Sequence, residues 1–178
     1  MTLAAAIVVG TELPASAQGP TFELSAGYQY TRIPEENVPL GFAIDASRNW
    51  GAAGLVAEGG WARDSESAFD IDASLNLWHL AAGPRWSAFG SSGVTPFVQV
   101  LGGWMHARSS VEVAGVEVSG SSHHFMVQPG VGVSMEAGDG WSVVTSFDYR
   151  RVFIDDEGDG ESGENQYRVF VGLRMLLD

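Results

Sequence analysis

From Phe22 to Leu177 the chain is written largely in a period of two. Phe22, Leu24, Ala26, Tyr28 and Tyr30 alternate with Glu23, Ser25, Gly27 and Gln29. Val98, Val100 and Trp104 oppose Gln99 and Gly103. The cleanest runs come last. Phe125, Val127, Val131, Val133 and Met135 interleave with His124, Gln128, Gly130, Gly132 and Ser134. Trp141, Val143, Phe147 and Tyr149 interleave with Ser142, Ser146, Asp148 and Arg150. Tyr167, Val169, Val171, Leu173, Met175 and Leu177 interleave with Gln166, Arg168, Gly172 and Arg174. Successive side chains of a strand leave opposite faces, so this period predicts strands with one apolar and one polar face.

Eight strands are expected, in order: Thr21–Arg32, Gly41–Ser47, Trp50–Ala62, Asn76–Phe89, Val94–Arg108, and the three closing runs. Ser47–Asn49, Gly90–Gly93 and Ala137–Gly140 read as tight turns. Ile33–Leu40, Arg63–Ser74 and Ile154–Asn165 read as long links, as does Ser109–Ser122, with a small hairpin at Ala114-Gly115 that extends the fifth and sixth strands beyond the bilayer. The alternation changes phase near Leu77–Trp78, which predicts a bulge there. Pro84, Pro96 and Pro129 fall inside strands and leave ladder donors missing. Most runs reach nine residues, enough to cross a bilayer at a tilt. Strict alternation of short and long links puts both termini and all short turns on one side. Aromatic residues collect toward strand ends: Trp50, Trp86, Phe89, Phe97 and Trp141 at the short-turn end, and Tyr30, Trp61, Trp78, Phe125, Tyr149, Phe153 and Tyr167 at the other. The fold class that follows is all-β: a closed, eight-stranded, antiparallel, up-and-down transmembrane β-barrel.

The segments LAAGPRWSAF (80–89), VTPFVQVLGGWMHAR (94–108), QPGVGVS (128–134), WSVVTSFDYRRVF (141–153) and QYRVFVGLRMLL (166–177) look like successive strands of the small bacterial outer-membrane β-barrel proteins, porin-like and similar to the OmpA transmembrane domain. The resemblance covers about residues 20–177. It implies residence in a Gram-negative outer membrane, among outer-membrane lipid, as a non-enzymatic protein with a structural or surface-interaction role. Such proteins usually end on an aromatic residue; this chain ends Leu176-Leu177-Asp178, a departure that bears on assembly rather than on fold.

Composition narrows the picture. The chain has 178 residues and a net charge of −13, with no lysine among its nine basic residues. A nucleic-acid partner is not expected, because phosphate binding needs a basic surface. By this strand map, 14 of the 22 acidic residues lie in the long links. These are read as solvated links with at most weak binding of divalent cations. Asp155–Gly160 faintly resembles a calcium loop, but Gln166 stands where the twelfth-position Glu would be. With no cysteine, disulfides and thiolate sites are excluded. Residues 1–17 are expected to be an export signal, with an apolar Leu3–Gly10 core and Ala15-Ser16-Ala17 before the cut, and 18–178 the barrel domain.

The candidate site is the inward polar face. Glu23, Asp45, Glu58 and Asp148 can meet Arg85, Arg150, Arg168 and Arg174. Eight strands enclose an interior just wide enough for side chains to fill, so these residues are expected to form a packed polar network rather than a bore. A narrow ion path is the functional alternative at the same residues. No catalytic residues, cofactor or metal ligands are assigned: His123 and His124 must face opposite ways on a strand and cannot chelate together. An outer-membrane lipid hydrolase using Ser122 and His124 near Glu117 is a lesser alternative, without a motif. A soluble, lipocalin-like barrel binding a small apolar ligand is the main rival, and it requires the polar face to point outward. A monomer is expected, with no protein partner identified.

Overall fold

The computed structural model describes residues 21–34, 37–68, 71–88, 93–113, 116–154 and 162–177. Its strands are β1 (Thr21–Arg32), β2 (Asn37–Val38), β3 (Leu40–Trp50), β4 (Ala53–Ala68), β5 (Ile71–Ser87), β6 (Val94–Val113), β7 (Val116–Gly138), β8 (Trp141–Ile154) and β9 (Ser162–Leu177). All neighbours pair antiparallel, and β1 closes on β9 from Phe22↔Leu177 to Arg32↔Tyr167. β2 is a two-residue ladder on the end of β1, so the ring itself has eight staves. This is the closed, eight-stranded, up-and-down barrel that the alternation predicts. The export signal expected at 1–17 and the calcium-like run 155–160 lie outside the described residues.

Several boundaries differ from the sequence expectation. The tight turn expected at Ser47–Asn49 sits at Gly51-Ala52, where Gly51 takes φ 62° without the penalty a Cβ would bring. Ser47 and Asn49 stay in the ladder, opposite Val56 and Gly54. The link expected at Arg63–Ser74 is mostly strand: β4 and β5 pair without a break from Ala53↔Trp86 to Ala68↔Ile71. Asp64, Glu66, Asp72, Glu112 and Glu117 therefore sit on strands. Above the membrane neither face of a hairpin need be apolar, so pairing outlasts the alternation that would reveal it.

No bulge occurs near Leu77–Trp78. β5 keeps one register with β4 throughout and resumes the same register with β6 on both sides of Gly83-Pro84. Leu75 and Leu77 point inward with His79, so what changes there is the chemistry of the interior, not the phase. The register shift falls instead between Glu136 and Gly138, beside the β7–β8 turn. Pro84 and Pro129 are accommodated by short ladder gaps: β5–β6 pairs skip from Ala82↔Gly102 to Arg85↔Gln99, and β7–β8 pairs from Val127↔Arg151 to Gly130↔Asp148. β6 and β7 pair as far as Val113 opposite Val116, extending both strands as the small hairpin requires, and its expected turn residues Ala114-Gly115 lie outside the described residues. Pairing of β7 with β8 ends at Phe125↔Phe153, so Val116–His124 rises beyond the ring on β6 alone.

The outward face carries the apolar residues; Leu80 and Trp104 are each 65% exposed. Asp148, Arg150 and Arg168 are at most 2% exposed, inside. This is the reverse of a soluble ligand-carrying barrel, and it suits a hydrocarbon surround. Phe97, expected in the short-turn aromatic girdle, is instead buried within; Phe89 lies outside the described residues. Two glycines make room for interior groups. A Cβ on Gly130 would strike the Asp148 carboxylate, and one on Gly132 would strike the Phe97 ring.

Candidate interior site

Alternation delivers the site. Glu58 on β4, His79 and Arg85 on β5, Gln99 on β6, Gln128 on β7, Asp148 and Arg150 on β8, and Arg168 and Arg174 on β9 are all inward positions. Charges removed from water must find partners within the wall, because the low dielectric makes an unpaired ion costly. Glu58 is the hub. Its Oε1 accepts from His79 Nε2 (3.1 Å), from Gln128 Nε2 (3.2 Å) and from Arg168 Nη1; its Oε2 accepts from Arg168 Nη2 (2.7 Å). The Arg168 Nε lies 3.4 Å from Asp148 Oδ2, so one guanidinium joins two carboxylates from different strands.

The chain of contacts continues toward the short-turn end. Asp148 accepts from Gln99 Nε2 (3.0 Å) and Ser146 Oγ (2.9 Å). Gln99 Oε1 accepts twice from Arg85, at 3.0 and 2.8 Å, and Arg85 Nη1 reaches Asp45 at 3.5 Å. The Phe97 ring lies between two guanidiniums, with Arg85 4.6 Å and Arg174 5.4 Å from its centroid. Arg174 donates to Ser25 Oγ (3.1 Å) and approaches the half-buried Glu23 at 3.5 Å. Arg150 makes two hydrogen bonds to Gln128 Oε1, at 2.9 and 2.7 Å. Among the described residues no carboxylate lies within salt-bridge distance of Arg150. Glu23, Asp45, Glu58, Asp148, Arg85, Arg150, Arg168 and Arg174 thus lie along one column of contacts. His79, Gln99, Gln128 and Phe97 complete it. The inward phase of His79, Gln99 and Gln128 is readable from the alternation; their role as links between charges, and the inward place of Phe97, are not.

Toward the long-link end the interior changes character. Val38, Ala62, Leu77, Leu101, Met105, Met126 and Val152 form one buried apolar cluster, with Ile33, Leu75, Ala107 and Ile154 packed at its rim. β2 brings Val38 in, held by Tyr30 Oη donating to Asn37 Oδ1 (2.7 Å) and Tyr28 Oη to the Pro39 carbonyl. A chamber of about 550 Å³ opens here, lined among others by Leu75, Leu77, Met105, Val152, Glu164 and Gln166. At the opposite mouth a cavity of about 390 Å³ is lined by polar residues such as Glu23, Asn49, Ser142 and Arg174.

The histidine pair divides as alternation requires. His123 points outward beside His106, their rings 4.3 Å apart, and His124 points inward to line the chamber. Ser122 lines the same chamber, and among the described residues no hydrogen bond joins it to His124. No group of three or more potential metal ligands occurs among the described residues.

No curated protein matches the chain. Solved structures do match its fold. A major outer membrane protein from Thermus thermophilus superposes with a TM-score of 0.66 at 11% identity, over 90% of this chain and 100% of that one. Neisserial surface protein A gives 0.63 at 14% identity, over 90% and 98%. Ail, the attachment invasion locus protein of Yersinia pestis, gives 0.60 at 12% identity, over 89% and 97%. At these identities the likeness is one of fold, and it extends over nearly the whole of each barrel. The sequence itself, over residues 1–174, matches the family described as outer membrane protein beta-barrel domain, the assignment that a closed ring with charges inside and aromatics outside demands; the chain belongs to that family and resides in the outer membrane.

Proposed function

We propose that this barrel is a non-enzymatic, monomeric surface protein that stops its own bore and displays its long hairpins outside the cell. What supports the reading is the Glu58–Arg168–Asp148 contact, which crosses the interior between β4, β8 and β9. Side chains so paired fill an eight-stranded interior and leave little path for solute. The β1–β9 closure leaves no stave unpaired at bilayer depth, which removes the edge that would recruit a second copy. β6 and β7 run 20 and 23 residues, well beyond a bilayer crossing. They carry Val118 and its neighbours into the external medium, where a partner would meet them. Weak association of divalent cations with the acidic hairpin ends belongs to this reading: Asp72, Glu112 and Glu117 share one rung.

Planar-bilayer recording tests the closed bore. The wild-type protein is expected to give no stable conductance steps, and Glu58→Ala combined with Arg168→Ala is expected to produce small ones. Steady, porin-like steps from the wild-type barrel would overturn the proposal.

A further inference from the structure

The arginines that do not join the interior column are placed unevenly on the outer wall. Arg48 alone stands toward the short turns, whereas Arg32, Arg63, Arg108 and Arg151 stand toward the long links. Between the short turns and these four, no described outward strand position holds a carboxylate, in a chain of net charge −13. Two of the four share a rung. β4 to β7 pair in step, and one outward rung reads Arg63–Asn76–Arg108–Ser121. The next outward rung toward the membrane centre reads Trp61–Trp78–His106–His123. Its rings lie close, with Trp61 and Trp78 6.0 Å apart and His106 and His123 4.3 Å apart. Below it come Leu80 and Trp104, each 65% exposed. Apolar wall, aromatic rung and cationic rung follow the order of a leaflet from acyl chains to headgroups. Long links mark the external side, so the leaflet is the outer one.

We infer that the Arg63–Asn76–Arg108 rung holds a phosphate monoester on the headgroup of an outer-leaflet glycolipid. Neighbouring strands lie about 4.8 Å apart, so Arg63 and Arg108 stand about 10 Å apart with Asn76 between them. A phosphate above Asn76 is within reach of an extended arginine from each side. Both guanidiniums are exposed, and among the described residues neither has an ion-pair partner. Asp64 follows Arg63 but belongs to the opposite face, and its Oδ1 accepts from the Ser65 amide at 2.9 Å. The carboxylate positions further out, Asp72, Glu112 and Glu117, lie one rung together, four residues beyond Asn76, Arg108 and Ser121. Guanidiniums bind phosphate through paired, charge-assisted hydrogen bonds. A monoester carries nearly two charges at neutral pH and so matches two arginines, whereas the diester of a phospholipid carries one. The site lies on the outer wall and does not depend on whether the bore is closed.

Labelled tryptophan indoles read both rims at once. Trp61 and Trp78 lie beside the rung, whereas Trp50, Trp86 and Trp141 border the short turns. The barrel in phosphatidylcholine nanodiscs is titrated with lipid A bearing two phosphate monoesters, and separately with phosphatidylglycerol. The Trp61 and Trp78 indole resonances are expected to shift and saturate with lipid A, at a midpoint about tenfold below that for phosphatidylglycerol. The short-turn tryptophans are expected to drift without saturating. Arg63→Gln combined with Arg108→Gln is expected to raise the lipid A midpoint about tenfold, while Arg48→Gln at the other rim leaves it unchanged. Each variant is first shown to fold by its heat-modifiable gel mobility. Inorganic phosphate at the same concentration is expected to leave both resonances in place. The inference is overturned if Trp61 and Trp78 never shift or drift in step with Trp141. It is overturned equally if phosphatidylglycerol or inorganic phosphate saturates them as lipid A does, or if the folded Arg63→Gln, Arg108→Gln barrel keeps the wild-type midpoint.

Discussion

The two halves of the barrel interior are built from the same alternation and obey different energetics. Toward the short turns, Glu58, Arg168, Asp148, Gln99 and Arg85 are linked in sequence by hydrogen bonds and by the Arg168–Asp148 ion pair. Toward the long links, Leu77, Leu101, Met105 and Val152 are held together by burial alone. A charge network is directional, and its members depend on one another, so deleting one strands several others. Apolar packing is non-directional, and a truncation costs the transfer of the removed group plus a term for the space it leaves. The contrast predicts that changes of similar size will have unlike consequences in the two halves.

The largest effect is expected at the hub. Glu58→Leu leaves Arg168, His79 and Gln128 facing an aliphatic group inside the wall. Loss of one partner from a buried ion pair costs about 3–5 kcal/mol. Urea titration of the barrel in lipid vesicles, read by heat-modifiable gel mobility, measures it. Adding Arg168→Met should recover most of the loss, because the stranded cation is then gone. A double variant no better than Glu58→Leu alone would show that the cost lies in packing and not in the unpaired charge.

In the apolar half, Leu77→Ala is expected to cost about 2 kcal/mol, the low end for such truncations. Leu77 borders an open chamber on one side, so the space it vacates adds little to what already exists. The same urea titration checks it. A loss equal to that of Glu58→Leu would erase the distinction between the halves.

Much of this division is legible in the sequence, though not its boundary. Inward placement of Glu58, Arg85, Asp148, Arg168 and Arg174 follows from the parity of each strand, and parity survives errors in strand length. The apolar outer half reads as a slip at Leu77–Trp78, because inward leucines look like a change of phase when the interior is assumed polar. The extension of β6 and β7 is read from their small hairpin, but the extended β4–β5 hairpin escapes the same reading for a related reason. Beyond the membrane, Asp64 and Ser65 can face water on either side of the sheet, so hydropathy no longer tracks pairing. Phe97 reads as an outer-girdle residue because an aromatic near a strand end resembles an interfacial one. Its burial between Arg85 and Arg174 depends on Gly132 being small enough to admit the ring, a relation between strands that no single strand displays.

The smallest expected effect is the one that separates the halves most sharply, because it reverses sign. Gln166→Leu makes the same kind of change as Glu58→Leu, a buried polar group replaced by an aliphatic one. Glu58 satisfies three partners, whereas Gln166 holds one long bond to Glu164 and a weak contact with Met105 sulphur at 3.9 Å. Its Oε1 lacks a donor, and an unsatisfied buried acceptor costs about 1–3 kcal/mol. Leucine removes that cost and adds apolar contact with Met105. Glu164 is only half-buried, so water replaces the donor it loses. The net change is expected to lie within about 1 kcal/mol of the wild type, on the stabilising side, because relief of the unpaired acceptor outweighs one weak bond. A destabilisation comparable to that of Glu58→Leu would mean that Gln166 belongs energetically to the charge network, and that the boundary between the halves lies higher in the barrel than the chamber floor.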